Sequence, residues 1–298
     1  MLESLIDVLK SKDYKLKEYE SLKSYSSLRI GGIARCIVCP DNADELLEVI
    51  RLCIKGNVPY KVVGGLTNIL FAKEEYPLIF VKTTNTTIKN RAENIFCVES
   101  GVGFSSLVSF ARQFNFGGME ELSGIPGTVG GAVFGNAGAY GKETADLFFK
   151  GEFYLRDKDE IKIMFRDELE FSYRNSILKE GNLILLSACF KLSKSSQSTI
   201  DENVSIFRAR RLASQPTRCY SLGSIFKRVD GISAGYYIDK AGLKGLRIGE
   251  AVVSTKHAGF IINEGNASPD DFLKLIKCIK DRVYEQFGVV LVEEIEIY

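Results

Sequence analysis

Apolar residues along the chain recur at helical spacing in some stretches and cluster at strand spacing in others. Leu46, Val49, Ile50 and Cys53 fall on one face of a helix, with Asp41 or Asn42 placed to cap it and Gly56 to end it. Residues 35–39 before it, and Tyr60 to Val63 after it, read as strands. This strand–helix–strand unit runs into a Gly64-Gly65 turn. Further strands are predicted at 78–81 and 95–98, and a helix at 104–114. Residues 147–192 read as β-rich around a charged turn at Lys158, Asp159 and Glu160, and 201–212 as a helix with a basic end. The last helix has the fullest signals: Ser268 as cap, Pro269 at its first position, Asp270 and Asp271 complementing the dipole, and Gly288 as stop. Phe272, Leu275, Ile276, Ile279, Val283 and Phe287 form its apolar stripe, and a final strand is expected over 289–297. Mixed strands and helices predict α+β lobes.

A chain of 298 residues can build two or three such lobes around sizeable cores. Its formal net charge of +1 removes the electrostatic reason to expect nucleic acid or a charged membrane surface as a partner. No apolar run is long enough to span a bilayer, and the N-terminus lacks the pattern of a signal peptide, so a cytoplasmic protein is expected. The seven cysteines are scattered and odd in number, unlike a disulfide framework. Cys36 and Cys39 have CxxC spacing, but no second pair or histidine lies near them to complete a metal site. They read as buried strand cysteines, and no metal is expected.

Two glycine-rich segments carry the first chemical signal. In VVGGLTNIL, residues 62–70, a strand feeds a turn in which two glycines expose backbone N–H groups, a nest suited to an anion such as a phosphate. It is neither a Walker loop nor a GxGxxG fingerprint, and a plain hairpin or bulge explains it about as well. In SGIPGTVGGAVFGNAGAYG, residues 123–141, seven glycines read as one long turn region whose backbone can approach a flat or phosphorylated ligand.

Taken together, the GGLTN turn and the later SGIPGTVGGA…NAGAYG run resemble the FAD-binding domain of the vanillyl-alcohol-oxidase class of flavoproteins. SSLRIGGIA, residues 26–34, is similar to the corresponding stretch of the bacterial cell-wall reductases that act on UDP-N-acetylglucosamine enolpyruvate. Further resemblances to that family follow in order: YRNS at 173–176, GSIFK at 223–227, SAGYYIDKAGLKGLRIGEAVVSTKHAGFIIN, and a terminal LVEEIEI. The resemblance spans about 25–297. It implies a two-lobed FAD domain over residues 1–195, with lobes of about 1–82 and 83–195. A smaller α+β substrate domain would follow over 196–298, with its last strand returning to the active site.

By the same resemblance, Gly64, Gly65, Leu66, Thr67, Asn68, Gly127, Thr128, Val129, Gly130, Gly131, Ala132 and Asn136 would contact FAD. The flavin would be held without a covalent histidyl bond in that segment, since the only histidine, His257, lies outside it. The family's catalytic positions fall on Arg174, Ser224 and Glu294. Its chemistry explains these residue types. Hydride delivered to C3 of an enolpyruvyl group leaves charge on C2 and the carboxylate, which a guanidinium holds. C2 then needs a proton, assigned to Ser224. Tyr173, Lys227 and Arg228 would meet the UDP-sugar, Lys227 as a point charge on the diphosphate. NADPH is implied as hydride donor, with small-molecule partners only and a monomeric chain.

The chain departs from the family at Arg228-Val229, where Asn-Pro is usual, and at Gly135, where Met is usual. The insertion carrying a substrate-clamping tyrosine is absent, which marks the shorter subtype. His257 is given no catalytic role. Two other readings stay open: an oxidase of the same flavoprotein class, and a flavin- or UDP-sugar-binding protein without turnover.

Overall fold

A computed structural model describes residues 1–92 and 94–298. The chain forms two compact units. The first comprises Met1–Glu20, Ala34–Gly65 and Pro77–Ala209; the second comprises Ser21–Ile33, Leu66–Tyr76 and Arg210–Tyr298.

The first unit has two cores. One gathers Leu5, Ile6 and Leu9 of the helix Leu2–Ser11 with the buried face of the helix Ala43–Lys55. Both lie with a four-stranded sheet in which Tyr60–Val63 runs parallel to Glu75–Lys82. The Ala43–Lys55 helix starts where its sequence dictates, since the Asn42 side chain accepts the Glu45 N–H at 2.9 Å. Gly56 ends it in a right-handed conformation, and the left-handed residue is the next one, Asn57 at φ 47°.

The second core lies on a five-stranded antiparallel sheet ordered Glu160–Phe165, Phe148–Leu155, Leu183–Lys191, Ile95–Glu99, Ile88–Ala92. Phe96, Phe104, Phe153 and Phe190 are among its fully buried side chains. Tyr154 and Leu186 of the same strands belong to the other core, because neighbouring strand side chains point to opposite faces. Cys97 and Cys189 sit directly opposite each other in this sheet and are joined by a disulfide. Cys36, Cys39, Cys53, Cys219 and Cys278 are free. Cys36 is buried in its strand and Cys39 half-buried just beyond it. Burial pushes the Cys36 and Cys53 thiols up to about 12, which leaves them protonated and inert.

Residues 123–141 are not one long turn. A short helix, Val129–Phe134, forms inside them despite Gly130 and Gly131, because Thr128 caps it and Val129, Ala132 and Val133 are buried.

In the second unit, strands Tyr220–Ser224, Phe260–Asn263, Ala251–Val253 and Arg247–Ile248 form an antiparallel sheet against the helix Pro269–Phe287. That helix carries the expected cap: Ser268 and Asp271 exchange side chain-to-backbone bonds, and Gly288 stops it at φ 66°. Phe287 is not part of the buried stripe. It lies in the last turn, 41% exposed, against the Tyr237 ring.

The boundary expected near 195 is not where the units divide. The first unit runs on to Ala209, and two earlier segments fold with the C-terminal part instead. Hydrogen bonds and apolar burial hold them there. Ser27 bonds the Ser221 carbonyl, Asn263 bonds the Leu28 carbonyl, and Leu28, Ile30 and Leu70 enter the same core as Phe272 and Ile276. The predicted final strand is also shorter. Only Glu296–Ile297 pairs as a strand, parallel to Ile69–Leu70, while residues before it are held by single bonds. Among the described residues no helix is long and apolar enough to cross a membrane, and no cluster of metal-ligating side chains is present.

Candidate functional site

In the first unit two glycine segments distant in sequence approach backbone to backbone. A side-chain carbon built on Gly65 would lie 2.8 Å from the Gly127 Cα, and one on Gly64 would run into the Thr128 hydroxyl. Only glycine permits that approach. Among the described residues no acceptor takes the N–H groups of residues 64–68. Leu66 holds a left-handed backbone at φ 52°, which a bulky side chain rarely adopts. Such consecutive open amides form an anion nest.

The second glycine segment works differently. The N–H groups of Val129 and Gly130 are taken by the carbonyls of Val102 and Ser100, that of Gly131 by the Thr128 side chain, and that of Ala132 by the Thr128 carbonyl. It can offer a ligand the exposed bare face of Gly131, but not those donors. Asn136 is buried, and its amide is engaged with Glu143, Ser172 and Ala145. Both amide hydrogens are thereby used, so its side chain is a brace and has no donor left for a cofactor.

That brace positions Arg174. Ser172 and Asn175 bond each other's backbone, leaving Tyr173 and Arg174 at the tip of a two-residue turn. Arg174, like Leu66, is a non-glycine residue in the left-handed region, at φ 55°. Its guanidinium donates to the Gly138 carbonyl at 3.0 Å and the Asn136 carbonyl at 3.5 Å, and lies 5.1 Å from the centre of the Tyr173 ring. Two carbonyls and a ring thus aim a side chain that would otherwise be mobile.

The second unit gathers the remaining residues. Ser224 ends its strand at a register shift, next to Gly223 at φ 80°. Bulges of this kind re-aim side chains. The Ser224 hydroxyl donates to the Phe226 carbonyl at 3.2 Å. The carbonyl of Ile225, the next residue, accepts the Glu294 N–H at 2.8 Å, and the Lys227 N–H bonds the Val292 carbonyl at 2.8 Å. Asn68 completes the clip: its side chain bonds the Glu294 carbonyl and its own carbonyl takes the Glu296 N–H. Ser224, Lys227, Asn68 and Glu294, far apart in sequence, therefore share one backbone network. Thr67 and Lys227 are half-buried and Arg228 is exposed. Arg174 lies in the other unit.

Sequence reasoning passed over two further polar residues. Asn85 and Ser100 are fully buried with side-chain polar atoms that find no partner among the described residues. Ser100 abuts Gly130, where an added side-chain carbon would meet it at 3.2 Å. Nothing local in the sequence marks either residue. His257 does not bond a backbone carbonyl through its ring Nδ1; that atom accepts the Gly259 N–H at 3.1 Å.

These features fit a dinucleotide cofactor: a nest of open amides for its diphosphate and bare glycine surface for its rings. Residues 34–157 match the FAD binding domain family. The protein is thus a flavoprotein with a domain of that FAD-binding family and a second, smaller α+β unit.

Residues 215–298 match the family described as UDP-N-acetylenolpyruvoylglucosamine reductase, C-terminal domain. The chain is 42% identical over 277 residues to the UDP-N-acetylenolpyruvoylglucosamine reductase of Caldicellulosiruptor saccharolyticus, covering 92% of this chain and 89% of that protein. It is 40% identical to that of Caldanaerobacter subterraneus, over 100% of this chain and 99% of the relative. The crystal structure of UDP-N-acetylenolpyruvylglucosamine reductase from Thermus caldophilus superposes with a TM-score of 0.81 at 32% identity, over 96% of this chain and 98% of that one. The chain belongs to the UDP-N-acetylenolpyruvoylglucosamine reductase family.

Proposed function

We propose that this chain reduces the enolpyruvyl group of UDP-N-acetylglucosamine enolpyruvate to the lactyl ether of UDP-N-acetylmuramate, using FAD and taking hydride from NADPH. The observation that carries the reading is the clip around Ile225, whose neighbour is Ser224 and whose carbonyl holds Glu294. It supports the reading by tying the backbone of Glu294, read as the acidic residue, to that of the residue after Ser224, read as the proton donor.

The open amides of residues 64–68 would hold the FAD diphosphate, with the bare face of Gly131 beside it. Bound FAD supplies the hydride that reaches C3 of the substrate. Arg174, preset by the Gly138 and Asn136 carbonyls, would hold the substrate carboxylate as charge develops on it. Ser224 then gives its hydroxyl proton to C2 and regains one from water, so the product carries one hydride and one proton more than the substrate. Glu294 would orient the carboxylate end. Lys227, with Arg228 and Tyr173, would meet the UDP portion. Domain limits follow the same reading: a FAD domain built on 34–157 and a substrate domain on 215–298. The partners are small molecules, and we expect a monomer working in the cytoplasm.

Anaerobic stopped-flow measurement tests the reaction. In the FAD-loaded enzyme, NADPH should bleach the flavin and the enolpyruvyl UDP-sugar should restore its absorbance. Ser224→Ala should leave bleaching intact and slow restoration by about 100- to 10,000-fold, the usual share of a positioned acid. Restoration at the wild-type rate in Ser224→Ala would remove Ser224 from the mechanism. Reduced flavin that ignores the substrate and reacts rapidly with oxygen would overturn the reductase reading in favour of an oxidase.

A further inference from the structure

We propose that His257, the only histidine of the chain, is a positioning residue for Ser224, acting through Gly259. It lies in the turn between the strands Ala251–Val253 and Phe260–Asn263. The inference rests on Ser224 being the proton donor.

The bonds form a short chain. The ring Nδ1 of His257 accepts the Gly259 N–H at 3.1 Å. The Gly259 carbonyl accepts the N–H of Ile225 at 2.9 Å, the residue directly after Ser224. The site where a Gly259 side chain would begin lies 3.2 Å from His257 Nδ1 and 3.4 Å from the Ser224 hydroxyl oxygen. Imidazole and hydroxyl therefore flank the same bare Cα. Any shift of the ring moves Gly259, and with it both the carbonyl holding Ile225 and the surface against which the Ser224 hydroxyl rests.

This geometry sets the state of the ring. An Nδ1 that accepts an N–H carries no hydrogen, so the neutral ring bears its proton on Nε2. Phe260 packs edgewise on the ring, 4.7 Å between centres. Burial lowers the His257 pKa below its ordinary value, against a backbone hydrogen bond at His257 itself that raises it and with a smaller repulsion from Lys244. A proton on Nδ1 would set two donors against each other at Gly259.

The experiment uses the FAD-loaded enzyme and two variants. His257→Phe keeps a ring but removes the acceptor. His257→Asn places an amide oxygen near the position of Nδ1. His257→Phe should leave flavin reduction by NADPH unchanged and slow reoxidation by the substrate by up to about 100-fold, the scale of a misplaced catalytic group. The substrate KM should barely move, and a solvent deuterium isotope effect should emerge as proton delivery becomes limiting. His257→Asn should recover most of the rate. Nitrogen-15 NMR of the single imidazole in the wild-type enzyme should show the Nε2–H tautomer. An Nδ1–H tautomer overturns the proposal even if a variant does not fold. Wild-type reoxidation in His257→Phe, beside a slow Ser224→Ala, overturns it while leaving Ser224 in place. A slow His257→Asn also overturns it, because it points to a role for the Nε2 proton. A fast Ser224→Ala removes the reading on which it rests, and this proposal with it.

Discussion

The glycine region and the serine region are built on opposite principles. Around Gly65 and Gly127 the proposed role depends on side chains that are missing: the two backbones are close enough that one methyl group would separate them, and the amides of residues 64–68 are left open. Around Ser224 the proposed role depends on side chains held in place by backbone bonds, through Ile225, Gly259 and Glu294. The first region is intolerant of added atoms and the second of removed ones. Arg174 stands between these cases. It is a side chain, but it is aimed by backbone carbonyls and a left-handed turn.

Substitutions can break this contrast. The largest effect is expected for Gly65→Ala, whose methyl must push the Gly127 backbone away from 2.8 Å. We expect protein that purifies without bound flavin, read from its visible absorbance. A full complement of flavin would show that the close approach is dispensable. Next comes Arg174→Lys. It keeps the charge but loses the planar fork, and should slow flavin reoxidation by the substrate by about 100-fold while flavin content stays normal. An unchanged rate would mean that charge alone suffices. The smallest effect is expected for Gly135→Ala in the same glycine-rich segment. Its added carbon meets only the Gly131 carbonyl, at 3.6 Å, and its backbone is right-handed at φ −98°. Flavin content should stay normal, and urea unfolding should show a gain of about 0.4–1 kcal/mol from the restricted unfolded chain. Loss of flavin there would show that glycine density, and not the specific Gly65–Gly127 approach, governs the region.

The sequence by itself determined whatever is decided within a turn or two of chain. Asn42 and Ser268 mark their helix starts because a cap and its amides are only three residues apart. The stripe from Phe272 to Val283 is buried as its spacing requires. Glycine density marked both cofactor segments, and the ordered motifs marked Arg174, Ser224 and Glu294. Tertiary structure decided which distant backbones meet. No local pattern says that Gly65 lies against Gly127, that residues 21–33 and 66–76 fold with the C-terminal part, or that Asn136 braces Arg174. The helix inside the glycine-rich run also escaped the sequence, because burial of Val129, Ala132 and Val133 overrides the low helical propensity of its glycines. His257 shows the limit most directly. A lone histidine has no periodicity and no spacing partner, and its bond to Gly259 acquires meaning only because strand pairing sets Phe260 opposite Ser224. Helix caps and turns act over a few residues and can be read in order; strand pairing and long-range hydrogen bonds bring together residues that the order of the chain keeps apart.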